Sequence, residues 1–283
     1  MRTCSSIASL RRALGASRNQ KVGFVPTMGF LHEGHLSLVR ACRRENDVAV
    51  VSIFVNPTQF GPAEDLQRYP RDPQRDRALL EKEGVDLLFL PDGADMYPPS
   101  YRTFVRVEEL DGKLCGRSRP GHFRGVATIV LKLFNLVRPQ RAYFGQKDAQ
   151  QAIIIRQMVR DLHLPVSLRV LPIVRDAGGL ALSSRNVYLS PEERRAAQAL
   201  PRSLERAAAM IRDGALDSRL IRAAMQEEIG SEPLLEAEYL AIVRLQDLEE
   251  IPEVEPGNTL IAVAIRAGRT RLIDNLLLGD LAC

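Results

Sequence analysis

Residues 26–35 read PTMGFLHEGH, directly after the apolar run at residues 22–25. His32 and His35 have the widest chemical range in this stretch, because an imidazole can bind a metal, move a proton or donate to an anion. A zinc site of the metalloprotease kind needs two histidines four apart on a helix. Here the spacing is three, Gly34 lies inside it and no third ligand is evident, so zinc is disfavoured. A strand, a proline, a glycine and then a helix is the arrangement that turns a backbone sharply and offers helix N-terminal amides to an anion. Gly29 and Gly34 allow close approach to such a ligand, with both imidazoles on one side of the first turn. Taken alone, the decapeptide reads equally well as two solvated histidines at a helix start.

Other polar groups recur at the ends of apolar runs. In SIFVNPTQFGPAEDLQRYPR (residues 52–71), Asn56 and Gln59 emerge where a strand stops; their amides can orient a small acid or merely make an Asn-Pro turn. In RPGHFRGVATIVLKLFNLV (residues 119–137), Arg119 and His122 precede an apolar helix, as partners for a carboxylate or as a solvated helix start. In RAYFGQKDAQQAIIIRQM (residues 141–158), Gly145 permits close approach and Lys147 supplies a mobile point charge for phosphate. Asp148 can bond a ribose or cap the helix. In DAGGLALSSRN (residues 176–186), Ser183, Ser184 and Arg185 offer two hydroxyls and a fixed cation, a set suited to phosphates, although such a tripeptide before a helix is often only a linker. Asp76 is a candidate metal ligand, but an acid at a helix start is more often a cap.

Elements able to position these groups emerge from the apolar pattern. Strand-like runs at 22–25, 48–55, 86–90, 142–144 and 166–171 alternate with helical stretches at 36–42, 76–83, 126–137 and 152–160. Such alternation predicts βαβ units and a parallel sheet covered on both faces, with ligands beyond the carboxyl ends of its strands. Residues 91–120, with four prolines and three glycines, form an irregular excursion. After Asn186 the character becomes α+β: a helix opened by Ser190 and Pro191, a second helix near 218–229, and strands at 237–243, 259–267 and 269–276, the last two joined as a hairpin across Ala267 and Gly268. The expected division is a Rossmann-like domain at 1–180 and a smaller α+β, lid-like domain at 181–283, with the boundary within 176–186.

The 283 residues suffice for two such domains, and 45% hydrophobic with 26% charged residues is ordinary for a globular protein. No apolar run reaches the 18 or more residues of a membrane span, and the arginine-bearing N-terminal segment has no apolar signal core, so a cytoplasmic protein without membrane contact is expected. Cys4, Cys42, Cys115 and Cys283 are scattered and suggest neither zinc nor disulfides. The net charge of +4 comes almost wholly from arginine spread along the chain, which fits an anionic small substrate and gives nucleic acid no clustered tract.

The blocks together, VPTMGFLHEGH, SIFVNPTQFGPAEDLQRYPR, RPGHF, GQKDAQQ and LSSRN, resemble in order the pantothenate synthetase family, within the wider class of adenylyl-transferring enzymes that includes class I aminoacyl-tRNA synthetases. The resemblance spans nearly the whole chain. It implies condensation of pantoate with β-alanine at the expense of ATP through a pantoyl adenylate, with Mg2+ accompanying ATP, in a homodimer. The alternative is another enzyme of the same class acting on a different small acid. ATP contacts are implied for Met28, Gly29, Phe30, Leu31, His32, Glu33, Gly34 and His35, for Gly145, Gln146, Lys147 and Asp148, and for Val174, Leu182, Ser183, Ser184 and Arg185. Contacts to pantoate or β-alanine are implied for Asn56, Gln59, Arg119 and Gln151. His35 would stand nearest the reacting phosphate, with His32, Lys147, Ser183, Ser184 and Arg185 sharing charge stabilisation. Two positions depart from the family: Gln146 replaces the common glutamate, which puts a charge there in doubt, and Leu182 replaces methionine.

Overall fold

The computed structural model describes residues 1–16, 19–62 and 64–281; Cys283 lies outside them. In chain order the elements are β1 (Arg2–Cys4), α1 (Ile7–Gly15), β2 (Val22–Thr27), α2 (Glu33–Glu45), β3 (Val48–Ile53), α3 (Pro73–Lys82), β4 (Leu87–Phe89), α4 (Gly93–Met96), α5 (Cys115–Ser118), α6 (His122–Val137), β5 (Arg141–Gly145), α7 (Ala149–Asp161) and β6 (Ser167–Leu171). After these come α8 (Pro191–Ala196), α9 (Ala199–Arg212), α10 (Ser218–Gly230), β7 (Leu235–Arg244), β8 (Asn258–Ala267) and β9 (Thr270–Gly279). Among the described residues, no helix is long and apolar enough to cross a membrane.

The first six strands form one parallel sheet in the order β1-β4-β3-β2-β5-β6. Period-2 alternation of strand side chains sorts its faces. Phe24, Val48 and Val50 pack with Leu10, Val126, Val130 and Ile154 of α1, α6 and α7. Val25, Ala49 and Val51 pack with Val39, Cys42 and Leu80 of α2 and α3. This is the α/β arrangement expected of near-continuous apolar strands buried on both sides. From β2 the chain proceeds to β3 on one side and later returns to β5 on the other. Connections diverging in this way leave a crevice beyond the carboxyl ends of β2 and β5.

The late strands β7, β8 and β9 form an antiparallel sheet. One face, with Ile242, Ile261, Val263 and Ile265, packs with Leu200 and Leu204 of α9 and Ile221 and Met225 of α10. The other, through Ala241, Val243, Leu260 and Ala262, joins the same apolar cluster as α6 and α7.

Local departures from expectation have physical causes. The edge strand β1 is three residues long, too short for periodicity to reveal, and α1 starts at a capping box of Ser6 and Ser9. The helix opened by Ser190 and Pro191, capped reciprocally by Glu193, stops at Ala196 and resumes at Ala199 as a separate helix containing Pro201. Residues 91–120 hold only the single turns α4 and α5.

One close approach seats α6 against the turn that ends β3. A Cβ at Gly125 of α6 would lie 2.4 Å from the carbonyl oxygen of Thr58, in the 3-10 turn Pro57–Gln59. The obstacle is backbone, so no rotamer relieves it. Gly125→Ala is expected to cost about 1–3 kcal/mol through overpacking, read as a lower urea midpoint; an unchanged midpoint would show that the turn gives way freely.

Candidate active site

The loop between β2 and α2 is built around a buried carboxylate. Gly29 has φ 85° and Phe30 φ 51°, two successive residues in the left-handed region. The Phe30 N–H donates to Asp76 Oδ2 and the Leu31 N–H to Asp76 Oδ1, both at 2.7 Å. Asp76 itself is 1% exposed. Burial raises its carboxyl pKa above the ordinary value, against the lowering effect of the two amide hydrogen bonds. Asp76, the candidate metal ligand, serves here as a backbone anchor, each of its oxygens accepting one amide N–H. A Cβ at Gly29 would come within 2.9 Å of Ile53 and 3.1 Å of Asp76, so glycine serves the turn at this position.

His32 is the N-cap residue of α2, and His35 lies three residues on, at the end of its first turn. The backbone N–H of His32 donates to His35 Nδ1 at 3.3 Å. In a neutral ring that leaves the proton on Nε2, as a donor. The rings stack with centroids 4.1 Å apart and planes at 40°. A Cβ at Gly34 would lie 3.0 Å from the His32 ring, so Gly34 clears space for it. Burial lowers the His35 pKa to about 4, helped by the Lys147 charge. Burial lowers that of His32 to about 3, helped by His35 and Lys147.

At the end of β3, Asn56 is 1% exposed and fully used. Its Nδ2 donates to Gln59 Oε1 at 2.9 Å and to the Gly125 carbonyl at 3.1 Å, while its Oδ1 accepts from Thr58 and Tyr97. It holds Gln59, whose Nε2 faces Met28 Sδ at 3.1 Å. His122 Nδ1 donates to the Gln59 carbonyl at 2.8 Å, so its Nε2 accepts from Arg119 at 3.0 Å. Arg119 also pairs with Glu64 at 2.6 Å. Burial, then the Arg119 charge, lowers the His122 pKa to about 4.

After β5 the 3-10 turn Gln146–Asp148 leads into α7. A Cβ at Gly145 would meet nothing within 4 Å, and Asp148, although at the N-cap position, makes no capping bond with its side chain. Gln146 turns away to Asn275 at 3.2 Å. Lys147 lies 3.8 Å from Asp148. In the last block, Ser183 caps a 3-10 turn through Arg185 N–H, and Ser184 donates to the Phe30 carbonyl at 3.2 Å. Arg185 forms a bidentate pair with Asp65, both bonds 2.8 Å. Burial opposes ionisation of Asp65, but the Arg185 bond prevails and draws its carboxyl below the ordinary range.

These segments converge on one cavity at the carboxyl ends of β2 and β5. Its wall includes Met28, His32, Gly34, His35, Gln59 and Arg119 from the early blocks. The later blocks bring Gly145, Lys147, Asp148, Gln151, Val174, Leu182, Ser183, Ser184 and Arg185 to the same wall. Gly29, Phe30, Leu31, Glu33, Gln146 and Asn56 are not on it. Leu31 is in the core, and Glu33 pairs with Arg40 at the surface. Sequence reading passed over Tyr69, on the wall, and over Glu64 and Asp65, which hold the two arginines. All three lie in the quoted block at 52–71, but only the fold supplies their partners. Among the described residues, no group of three His, Cys, Asp or Glu side chains could hold a metal.

The family model for pantoate-beta-alanine ligase matches residues 2–277. A pantothenate synthetase of Roseiflexus castenholzii is 55% identical over 278 residues, covering 98% of this chain and 99% of the relative. A crystal structure of pantothenate synthetase from Thermus thermophilus superposes with a TM-score of 0.94 at 50% identity, covering 99% of this chain and 100% of that one. The pantoate-beta-alanine ligase of Francisella tularensis, complexed with beta-gamma ATP and beta-alanine, superposes with a TM-score of 0.80 at 34% identity, covering 98% and 97%.

The depressed imidazoles have a thermodynamic consequence. His32, His35 and His122 bind protons less readily folded than at the ordinary value of 6.5. Between the two values the unfolded chain holds more protons, so stability is full above 6.5 and falls as pH drops from there toward 4. Their NMR resonances are expected to stay neutral down to about pH 5, with the urea midpoint declining over the same range. Titration of all three near 6.5 would refute the burial account.

Proposed function

This chain belongs to the pantoate-beta-alanine ligase family, and on that premise we propose that it condenses pantoate with β-alanine through a pantoyl-adenylate intermediate, releasing AMP and pyrophosphate. The observation that carries this reading is the convergence of His32, His35, Gln59, Lys147, Gln151, Ser183, Ser184 and Arg185 on a single cavity wall. The nucleotide and β-alanine bound by the Francisella relative support the same assignment.

A free carboxylate is a poor acyl donor. In the first step one pantoate carboxylate oxygen bonds to the α-phosphorus of ATP, the bond to the bridging oxygen of the β-phosphate breaks, and pyrophosphate leaves. In the second, the amine of β-alanine attacks the acyl carbon, AMP departs with the electrons of the acyl–oxygen bond, and the nitrogen gives up its extra proton to water. Neither step needs a covalent bond to the protein, so its work is alignment and charge stabilisation. His35 is on the cavity wall with its Nδ1 occupied by the His32 amide, which leaves Nε2–H suited to donate to an α-phosphate oxygen. Lys147, Ser183, Ser184 and Arg185 suit the remaining phosphate oxygens. Gln59, fixed by Asn56, and Gln151 on the same wall suit the hydroxyls and carboxylate of pantoate.

Arg119 and Arg185 carry resident carboxylates, so each meets substrate with its charge partly balanced and its guanidinium held in place. Arg119 on this reading shapes the pantoate end by holding His122 and the carbonyl of Gln59. Mg2+ would arrive with ATP. Asp76 is committed to the loop, so the ion's ligands on this reading are phosphate oxygens and water, and no step is routed through it. The same family reading supports a cytoplasmic homodimer acting on small molecules. In it, residues 1–180 bind ATP and pantoate, and residues 181–283 close over them.

Wild-type protein is expected to exchange pyrophosphate into ATP when given pantoate and Mg-ATP without β-alanine. His35→Ala should lower that exchange by about 10²-fold or more, as loss of a donor to developing charge does, while circular dichroism stays unchanged. Near-normal exchange in the variant would sink the role of His35, and AMP release from wild type without pantoate would sink the reaction.

A further inference from the structure

Two adjacent residues of β9 reach both loops that flank the phosphate end of the cavity. Asn275, 5% exposed, donates from Nδ2 to the carbonyl oxygens of Gln146 at 2.9 Å and Lys147 at 3.1 Å, and its Oδ1 accepts from Gln146 Nε2 at 3.2 Å. All three of these side-chain bonds therefore end on the segment that carries Lys147. Asp274, 2% exposed, takes Arg175 in a bidentate pair at 2.5 and 3.0 Å and accepts the Asn275 N–H at 2.8 Å. Arg175 also donates to the Gly179 carbonyl and is bridged to Ala181. The Leu182 N–H bonds to the Val174 carbonyl at 2.9 Å. Arg175 thus pins the hairpin whose outgoing arm continues into Ser183, Ser184 and Arg185.

Neither Asp274 nor Asn275 is on the cavity wall where His35 and Ser183 meet. We propose that Asp274 and Asn275 are positioning residues for ATP, fixing the Lys147 turn and the serine-arginine loop to one strand of the late sheet. This rests on the ATP-dependent reading above and extends it to residues outside the wall. Residues 146–147 are bonded across 128 and 129 positions of sequence, so the Lys147 turn is tethered directly to the late sheet. An aspartate at 275 would set a carboxylate against two carbonyl oxygens, turning both attractions into repulsions at nearly constant volume.

Asn275→Asp and Asn275→Ala test this by calorimetric titration with ATP and by steady-state kinetics. Asn275→Asp is expected to bind ATP about tenfold more weakly, about 1.4 kcal/mol, raising KM for ATP and leaving KM for pantoate unchanged. Asn275→Ala should shift the same two quantities in the same direction by less. A merely structural role would lower the active fraction, hence kcat, and spare both constants. A folded Asn275→Asp with wild-type ATP affinity overturns the proposal. If neither variant folds, hydrogen exchange on wild type decides: ATP should slow the amides of residues 146–149 and 274–276 together, and slowing at the first set alone overturns the proposal. Wild type that binds ATP yet fails to turn over pantoate defeats the functional reading instead, and leaves the affinity comparison valid.

Discussion

The site depends first on a buried carboxylate that serves the backbone. Two consecutive residues with positive φ are costly when the second is Phe30, and the loop persists because Asp76 satisfies the amides of Phe30 and Leu31 from within the protein. That turn aims His32 at the N-cap of α2 and so sets where His35 stands one turn later. Ser184 reaches the carbonyl of the same Phe30, so the last block of the site is tied to the first through this loop.

Electrostatics around the cavity are more balanced than a count of its cations suggests. Arg119 and Arg185, the fixed guanidinium groups, face Glu64 and Asp65, neighbours in sequence on one connecting loop. Lys147 pairs with Asp148 only at 3.8 Å and sits on a turn whose carbonyls, not its charge, are anchored. The two imidazoles are held neutral by burial, so they act as oriented dipoles, and the strength of such dipoles grows in a site from which water is excluded.

How much of this could be read from the sequence depends on sequence distance. The blocks containing His35, Gln59, Lys147 and Ser183 are short segments at the ends of apolar runs, where ligands of such sheets sit, but each had a bland reading alone and it was their resemblance in order to a known family that gathered them. The parallel sheet was legible because β2 and β3 are apolar on both faces. What stayed hidden were the partners: Asp76 is 45 and 46 positions from the amides it holds, Glu64 55 from Arg119, Asp65 120 from Arg185, and Asn275 129 from Gln146. A capping role and a metal role for Asp76 look alike in sequence, and only the fold shows two amides against its oxygens. Gln146, read as a departure of doubtful consequence, turns out to face Asn275 and not the cavity.

The late sheet has a bearing on how the protein comes into being. Val243, Leu260 and Ala262 complete an apolar cluster begun by Phe24 and Val126, and the carbonyls of Gln146 and Lys147 accept a side-chain donor from residue 275. A nascent chain extended through Arg185 holds every block of the cavity wall yet lacks the strands that cover its core. The turn that carries Lys147 therefore gains its anchor, and the core its cover, only once the chain has reached β9, and a product cut short of it leaves that apolar surface open.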